Sequence, residues 1–189
     1  MPQIFMIAGP NGAGKTTSAI NLLPDIIHCQ EYINADSIAT ALSPYKPESI
    51  AIKAGRLMLE RIHYLADQRH DFAFETTGAS KTFASFLLNC KRKGYYVNLL
   101  YLWLESPDLA LERVASRVEN GGHNVPESVV RKRYRKGLIN IFQLYIPIVD
   151  NWVLYDNSGN YPKLIAKKNA KSDILVNNQE IWQMLNKVT

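Results

Sequence analysis

Positions 9–16 read Gly-Pro-Asn-Gly-Ala-Gly-Lys-Thr, a full match to the phosphate-binding pattern G-x-x-x-x-G-K-[ST]. The context agrees with the letters. An apolar run, Ile4-Phe5-Met6-Ile7-Ala8, precedes the motif as a buried parallel strand would. Thr16-Thr17-Ser18-Ala19-Ile20-Asn21-Leu22-Leu23 follows it and can continue as a helix. Gly9, Gly12 and Gly14 lack a Cβ, so a loop completed by Pro10, Asn11 and Ala13 can wrap closely and aim successive N–H groups at an anion. The positive end of the helix, at Lys15, Thr16 and Thr17, adds attraction. Lys15 is expected to reach the β and γ phosphates, and the Thr16 hydroxyl to bind Mg²⁺. A chance glycine-rich turn would not bring strand, lysine, hydroxyl and helix together. The motif predicts a nucleoside triphosphate site.

At 189 residues the chain fits one domain, 1–189, and its 47% hydrophobic content excludes disorder. No apolar run reaches membrane-spanning length, and no charged-then-apolar leader precedes the first strand. Cys29 and Cys90 are the only cysteines and lack metal-type spacing. The expectation is a cytoplasmic protein without a membrane segment. Net charge is +5 with a pI near 9.1. That suits nucleic acid or a polyphosphate site, and charge alone does not choose between them.

Strand-like and helix-like segments alternate, the pattern of a parallel sheet covered by helices on both faces. Strands are expected at about 3–8, 31–33, 71–74, 97–104 and 152–155, and helices at about 15–23, 47–68, 80–93, 107–119 and 126–145. The extension over about 161–189 has room for a hairpin or strand and a last helix.

Ligands of such sheets sit beyond the carboxyl ends of the strands. The phosphate loop, Asp36 and Glu75-Thr76-Thr77 fall at three such ends. Lone acids at strand ends are often solvated or cap the next helix, and Asp36 is placed to cap one beginning at Ser37. The break at 120–125 lies between two arginine-rich helices, with Arg113 and Arg117 before it and Arg131, Arg133 and Arg135 after it. A Gly121-Gly122 hinge framed by arginines reads as a lid, about 113–135, over a transferring phosphoryl group. The alternatives are a solvated helix face for the arginines and simple exposure for His123. Asn157, in the turn Asp156-Asn157-Ser158-Gly159, is placed either to contact adenine or merely to turn the chain.

These motifs, with Asn34-Ala35-Asp36, Phe74-Glu75-Thr76-Thr77, Gly121-Gly122-His123-Asn124-Val125-Pro126-Glu127 and Tyr155-Asp156-Asn157-Ser158-Gly159, resemble a small zeta-toxin-type P-loop kinase. The resemblance runs over about residues 3–165 with the motifs in the family's order. It implies ATP-dependent phosphorylation of a hydroxyl, in the best-known cases the 3′-hydroxyl of the amino sugar of UDP-N-acetylglucosamine. Asp36 would face the acceptor hydroxyl as base. Glu75 and Thr76 would hold substrate or a metal-bound water, and Arg117 or a neighbour would touch the γ-phosphate. His123 and Asn124 stand where the family has a second lid arginine. A separately encoded antitoxin is the implied protein partner.

The reading is therefore a three-layer α/β/α kinase with a mostly parallel five-stranded sheet, ordered 2-3-1-4-5, using ATP and Mg²⁺ on a small-molecule acceptor. Lys15, Asp36, Arg113 and Arg117 are the expected catalytic residues. Two rivals remain. A kinase acting on nucleic-acid ends would use the basic run Arg131-Lys132-Arg133-Tyr134-Arg135-Lys136. A nucleotide-switched binding protein would hydrolyse slowly and give Asp36 no role.

Overall fold

The computed structural model describes residues 1–23, 28–122, 124–170 and 172–188. Its elements are β1 (Gln3–Ala8), α1 (Lys15–Leu22), β2 (Tyr32–Ile33), α2 (Ala35–Leu42), α3 (Ala51–Asp67), β3 (Phe72–Thr76), α4 (Thr82–Arg92), β4 (Tyr96–Trp103), α5 (Pro107–Glu119), α6 (Glu127–Asn140), β5 (Asn151–Asp156), β6 (Lys163–Lys168), β7 (Leu175–Val176) and α7 (Gln179–Val188). A 3₁₀ turn, Pro47–Ile50, leads into α3, and a π turn, Ile141–Tyr145, continues α6.

The strands form one sheet ordered β2-β3-β1-β4-β5-β6-β7. The first five in that order are parallel to one another, as expected. The five-stranded expectation is corrected to seven, because β6 and β7 of the C-terminal extension add antiparallel to β5. The reason is local. Chain leaving β5 turns within a few residues at Asp156–Asn160, too few for a crossover helix, so the next strand returns antiparallel.

Alternation along the strands separates two layers. Ile4, Met6 and Ala8 of β1 and Leu99, Tyr101 and Trp103 of β4 join Met58, Ile62 and Leu65 of α3, Phe83, Phe86 and Leu87 of α4, and Leu185 of α7 in one core. On the opposite face, Ile7 packs with Ala19 of α1, and Leu102 packs with Ala110 and Val114 of α5 and Val130 of α6. Full burial of each large apolar side chain contributes about 1.5–3 kcal/mol. The sheet is held from both sides, so its carboxyl edge is a firm platform. Among the described residues no helix is long and apolar enough to cross a membrane.

Candidate active site

Gly14, at φ 78, is the N-cap residue of α1, so the helix begins with Lys15 and its first free N–H groups face the loop. Gly12 also has φ 78, and a Cβ there would stand 2.9 Å from both the Ala110 carbonyl oxygen and Arg113 Cβ. The loop is therefore laid flush on α5, and any side chain at position 12 would pry the two apart. From the turn after β5, Asn157 Nδ2 donates to the Ala13 carbonyl at 2.8 Å. Its own N–H donates to the Trp103 carbonyl at 2.9 Å. Asn157 is thus a brace beneath the phosphate loop. Asn157 does not line the cavity described below.

Lys15 is 8% exposed. Its Nζ donates to the Pro10 carbonyl at 2.8 Å and lies 3.9 Å from Glu75 Oε1. Burial holds its pKa below the usual lysine range; Glu75 and Asp36 oppose that shift, while Arg117 and Arg133 add to it. A polyphosphate beside Nζ would favour the charged form further. Asn11 is also buried, and its Oδ1 has no hydrogen-bond partner.

Glu75 is the next-to-last residue of β3, and the β1–β3 register sets it beside Ile7, two residues before the loop. Its Oε2 accepts from the Thr16 hydroxyl at 2.8 Å, from Asn34 Nδ2 at 2.8 Å, and from the Tyr32 hydroxyl. The hydroxyl expected to hold Mg²⁺ is therefore already bonded to a carboxylate at the end of the neighbouring strand. P-loop enzymes use that position to hold the metal through the Ser/Thr. Sequence reasoning missed Tyr32 altogether. The readable signal was its position two residues before Asn34 on a strand ending at the site, which puts both side chains on one face.

Asn34, and not Asp36, caps α2: its Oδ1 accepts from the N–H groups of Asp36 and Ser37 at 2.8 and 3.4 Å. The capping alternative for Asp36 is corrected accordingly. Asn34 takes the extended backbone a cap requires, which leaves Asp36 in the first turn. Its exposed side chain lines the same cavity as Lys15, Thr16, Glu75 and Thr76. Thr76 has a structural duty as well, since its hydroxyl accepts from the Gly78 N–H at 3.1 Å and its carbonyl accepts from the Gly9 N–H at 3.3 Å.

That cavity has a volume of about 930 Å³. Beyond the phosphate loop it is bounded by Arg56 and Leu59 of α3, Phe83 of α4, Arg113 and Arg117 of α5, and Lys132, Arg133 and Lys136 of α6. Both arms of the expected lid are anchored. Arg113 Nη2 donates to the Ser158 carbonyl at 2.8 Å. On α6, the Tyr134 hydroxyl donates to the Leu104 carbonyl at 2.5 Å, and Asn140 Nδ2 donates to the Gly78 and Ala79 carbonyls at 3.0 Å each. Arg131 points elsewhere, bonded to Glu127 and Asp108. His123 lies outside the described residues.

Comparison with known proteins agrees with the motifs. The sequence profile of the zeta toxin family matches residues 1–162. An uncharacterized protein of Haemophilus influenzae is 32% identical over 132 residues, covering 70% of this chain and 92% of that protein. A chain of the AvrRxo1-ORF1:AvrRxo1-ORF2 complex, solved with sulphate ions and with ATP, aligns with TM-scores of 0.81 and 0.79 at 16% identity. The alignment takes in 98% of this chain and 63% of that one, so the present chain spans less than two thirds of it. The PezAT toxin–antitoxin system of Streptococcus pneumoniae aligns at TM-score 0.65 and 15% identity, over 100% of this chain and 86% of that chain. At such identities the structures show a common fold; the profile match over most of the sequence shows more, that the chain belongs to the zeta toxin family.

Proposed function

We propose that the protein is a kinase that transfers the γ-phosphoryl group of ATP to a hydroxyl of a small anionic molecule, of which a nucleotide sugar such as UDP-N-acetylglucosamine is the best-fitting class. The observation that carries this reading is that Lys15, Thr16, Asp36, Glu75 and Arg117 line one cavity. A nucleotide switch needs the first two and has no use for an unbonded Asp36 carboxylate in the same cavity. The anionic character of the acceptor is read from Arg56, Lys132, Arg133 and Lys136, which line the cavity from α3 and α6.

The donor set suits Mg²⁺. Among the described residues no three His, Cys, Asp or Glu side chains cluster as a protein-only metal site. The Thr16 hydroxyl beside Glu75 instead matches an ion held partly by phosphates. When bound there, Mg²⁺ would neutralise charge on the β and γ phosphates. The loop N–H groups and Lys15 hold the polyphosphate, and Glu75 orients the Thr16 hydroxyl. Asp36 accepts the proton of the acceptor hydroxyl, and Arg117 faces the charge that develops on the transferring group. The family and the two-protein systems that share the fold support a separately encoded antitoxin as protein partner.

The test is incubation of the purified protein with γ-labelled ATP and Mg²⁺, against UDP-N-acetylglucosamine, free N-acetylglucosamine and a metabolite extract. Label on a phosphorylated small molecule is expected, with the nucleotide sugar preferred over the uncharged sugar. Release of label only as inorganic phosphate in all three mixtures would overturn the kinase reading.

A further inference from the structure

The two glycines that follow α5 do different work. Gly121 has φ 81, and nothing lies within 4 Å of where its Cβ would stand. It needs glycine's backbone freedom and has room to spare. Gly122 is the reverse. A Cβ there would stand 2.5 Å from Arg117 Cγ, 2.8 Å from the Arg117 carbonyl oxygen and 3.2 Å from Arg117 Cδ. The turn is tied down in this arrangement, because the Gly122 N–H donates to the Arg117 carbonyl at 2.9 Å and the Gly121 N–H to the Val118 carbonyl at 2.9 Å. These are the paired bonds of a Schellman cap. The pair read in sequence as a hinge forms a helix cap in this structure, set close against the aliphatic stem of Arg117.

We propose that Gly122 is a positioning residue for Arg117: having no Cβ, it lets the arginine stem lie against the α5 cap, and this holds the guanidinium in the catalytic cavity. Arginine is a long side chain with many rotamers, and a flexible one would spend little time where it is needed. Seating Cγ and Cδ under the cap removes most of those rotamers before any ligand arrives. Arg117 belongs to the cavity lining, and its charge is felt at Lys15 as one cause of the depressed lysine pKa. A methyl group at 122 must move either the stem or the cap, and both displace the guanidinium. A misplacement on the order of 1 Å can cost about 10²-fold in rate.

This inference rests on the kinase reading for its catalytic consequence but not for its geometry, and two measurements separate them. In the first, kcat and the KM for ATP are compared in the wild type, Gly122→Ala, Arg117→Ala and the double variant, with Gly121→Asn as a cap control because asparagine tolerates the left-handed conformation. Gly122→Ala is expected to lower kcat roughly 10–100-fold with KM changed less than about threefold, and to have no further effect once Arg117 is alanine. Gly121→Asn should keep wild-type kcat. Wild-type kcat in Gly122→Ala, or an equal loss in both backgrounds, overturns the proposal. In the second, the Nε–H order parameter of Arg117 is measured by NMR without substrate. A rigid group in the wild type and Gly121→Asn that becomes mobile in Gly122→Ala supports the seat. A value below about 0.6 in the wild type itself refutes it, even if Gly122→Ala fails to fold. Loss of the kinase reading would look different: no labelled acceptor from the wild type, while the NMR result stands or falls by itself.

Discussion

The two walls of the cavity are built on opposite terms. At the strand ends, Glu75 receives Thr16, Tyr32 and Asn34, and Lys15 is buried against Pro10. On that wall the side chains of Glu75, Thr16, Tyr32, Asn34 and Lys15 are bonded within the protein, while Asn11 Oδ1 and the Asp36 carboxylate have no hydrogen bond among the described residues. Across the cavity, Arg56, Lys132, Arg133 and Lys136 are exposed, and no carboxylate pairs with them among the described residues. The first wall is organised before a ligand arrives; the second waits for one. Substitutions at the strand ends should therefore alter the chemical step, and those on the helices should alter acceptor capture.

The sharpest break in that contrast comes from Asp36 and Asn34. Asp36→Asn is expected to lower phosphoryl transfer by about 10²–10⁴ and to leave both ATP-analogue affinity and melting temperature near wild type, because Asn34 carries the cap. Asn34→Ala should do the converse to stability, costing roughly 1 kcal/mol for the lost cap. Equal transfer rates for Asp36→Asn and wild type would remove Asp36 from the mechanism.

Next in size is Lys15. Lys15→Ala should lower kcat by about 10²–10³, the usual effect of deleting one preorganised donor. Its depressed pKa also makes a pH prediction. The folded protein without nucleotide binds this proton less readily than the unfolded chain does, so the lysine's burden on stability is full below its folded pKa and is relieved as pH rises toward 10.5. ATP restores the charged form, so nucleotide binding takes up a proton and weakens with rising pH. The gain in melting temperature from an ATP analogue should shrink on the alkaline side in the wild type and be indifferent to pH in Lys15→Ala. A constant gain in the wild type would mean that Lys15 is not the group meeting the phosphates.

A smaller effect is expected at Tyr32. Tyr32→Phe leaves Glu75, itself the outer partner of Thr16, with two donors; loss of an outer partner of a metal ligand typically costs about 10–100-fold in metal affinity, and Tyr32 stands one bond further out. The lower end applies here because Thr16 and Asn34 remain. Calorimetric titration of Mg²⁺ into the complex with an ATP analogue would show it as a weaker apparent affinity, with analogue binding in EDTA unchanged. Unaltered Mg²⁺ affinity would reduce Tyr32 to a packing residue.

How much of this was legible follows from sequence separation. The phosphate loop was readable because its contacts are local: Lys15 meets Pro10 five residues away. The order of the parallel strands followed from the alternation of elements and the family resemblance. The cage around Glu75 was not readable, because Tyr32 and Glu75 are 43 residues apart and meet only through the register that sets Tyr32 opposite Ala73 and Ile33 opposite Phe74. Asn157 is the extreme case. Its turn chemistry was plain, but its partner, Ala13, lies 144 residues away, and no local rule says which carbonyl a turn amide will find. The cap at the Gly121-Gly122 pair was not readable for another reason. Glycine marks a hinge and a helix cap alike, and only the contact with Arg117 separates them.

The helix wall yields the smallest single effects and the most direct test of its contrast with the strand ends. Arg56, Lys132, Arg133 and Lys136 are exposed, so solvent screens each charge and one contact should contribute only about 0.2–1 kcal/mol. That corresponds to roughly a 1.4–5-fold rise in acceptor KM for each alanine substitution, with kcat unchanged. The effects should shrink as salt is raised, since the Debye length falls from about 10 Å at 0.1 M to about 3 Å at 1 M. An uncharged acceptor should show no dependence on either the substitutions or the salt. Arg131→Ala is the internal control: its guanidinium is already held by Asp108 and Glu127, so acceptor KM should not move. If Lys132→Ala or Lys136→Ala instead lowered kcat at saturating acceptor, and did so equally at low and high salt, α6 would be meeting the reacting phosphoryl group. The division between an organised wall and a waiting one would then have to be redrawn along α6.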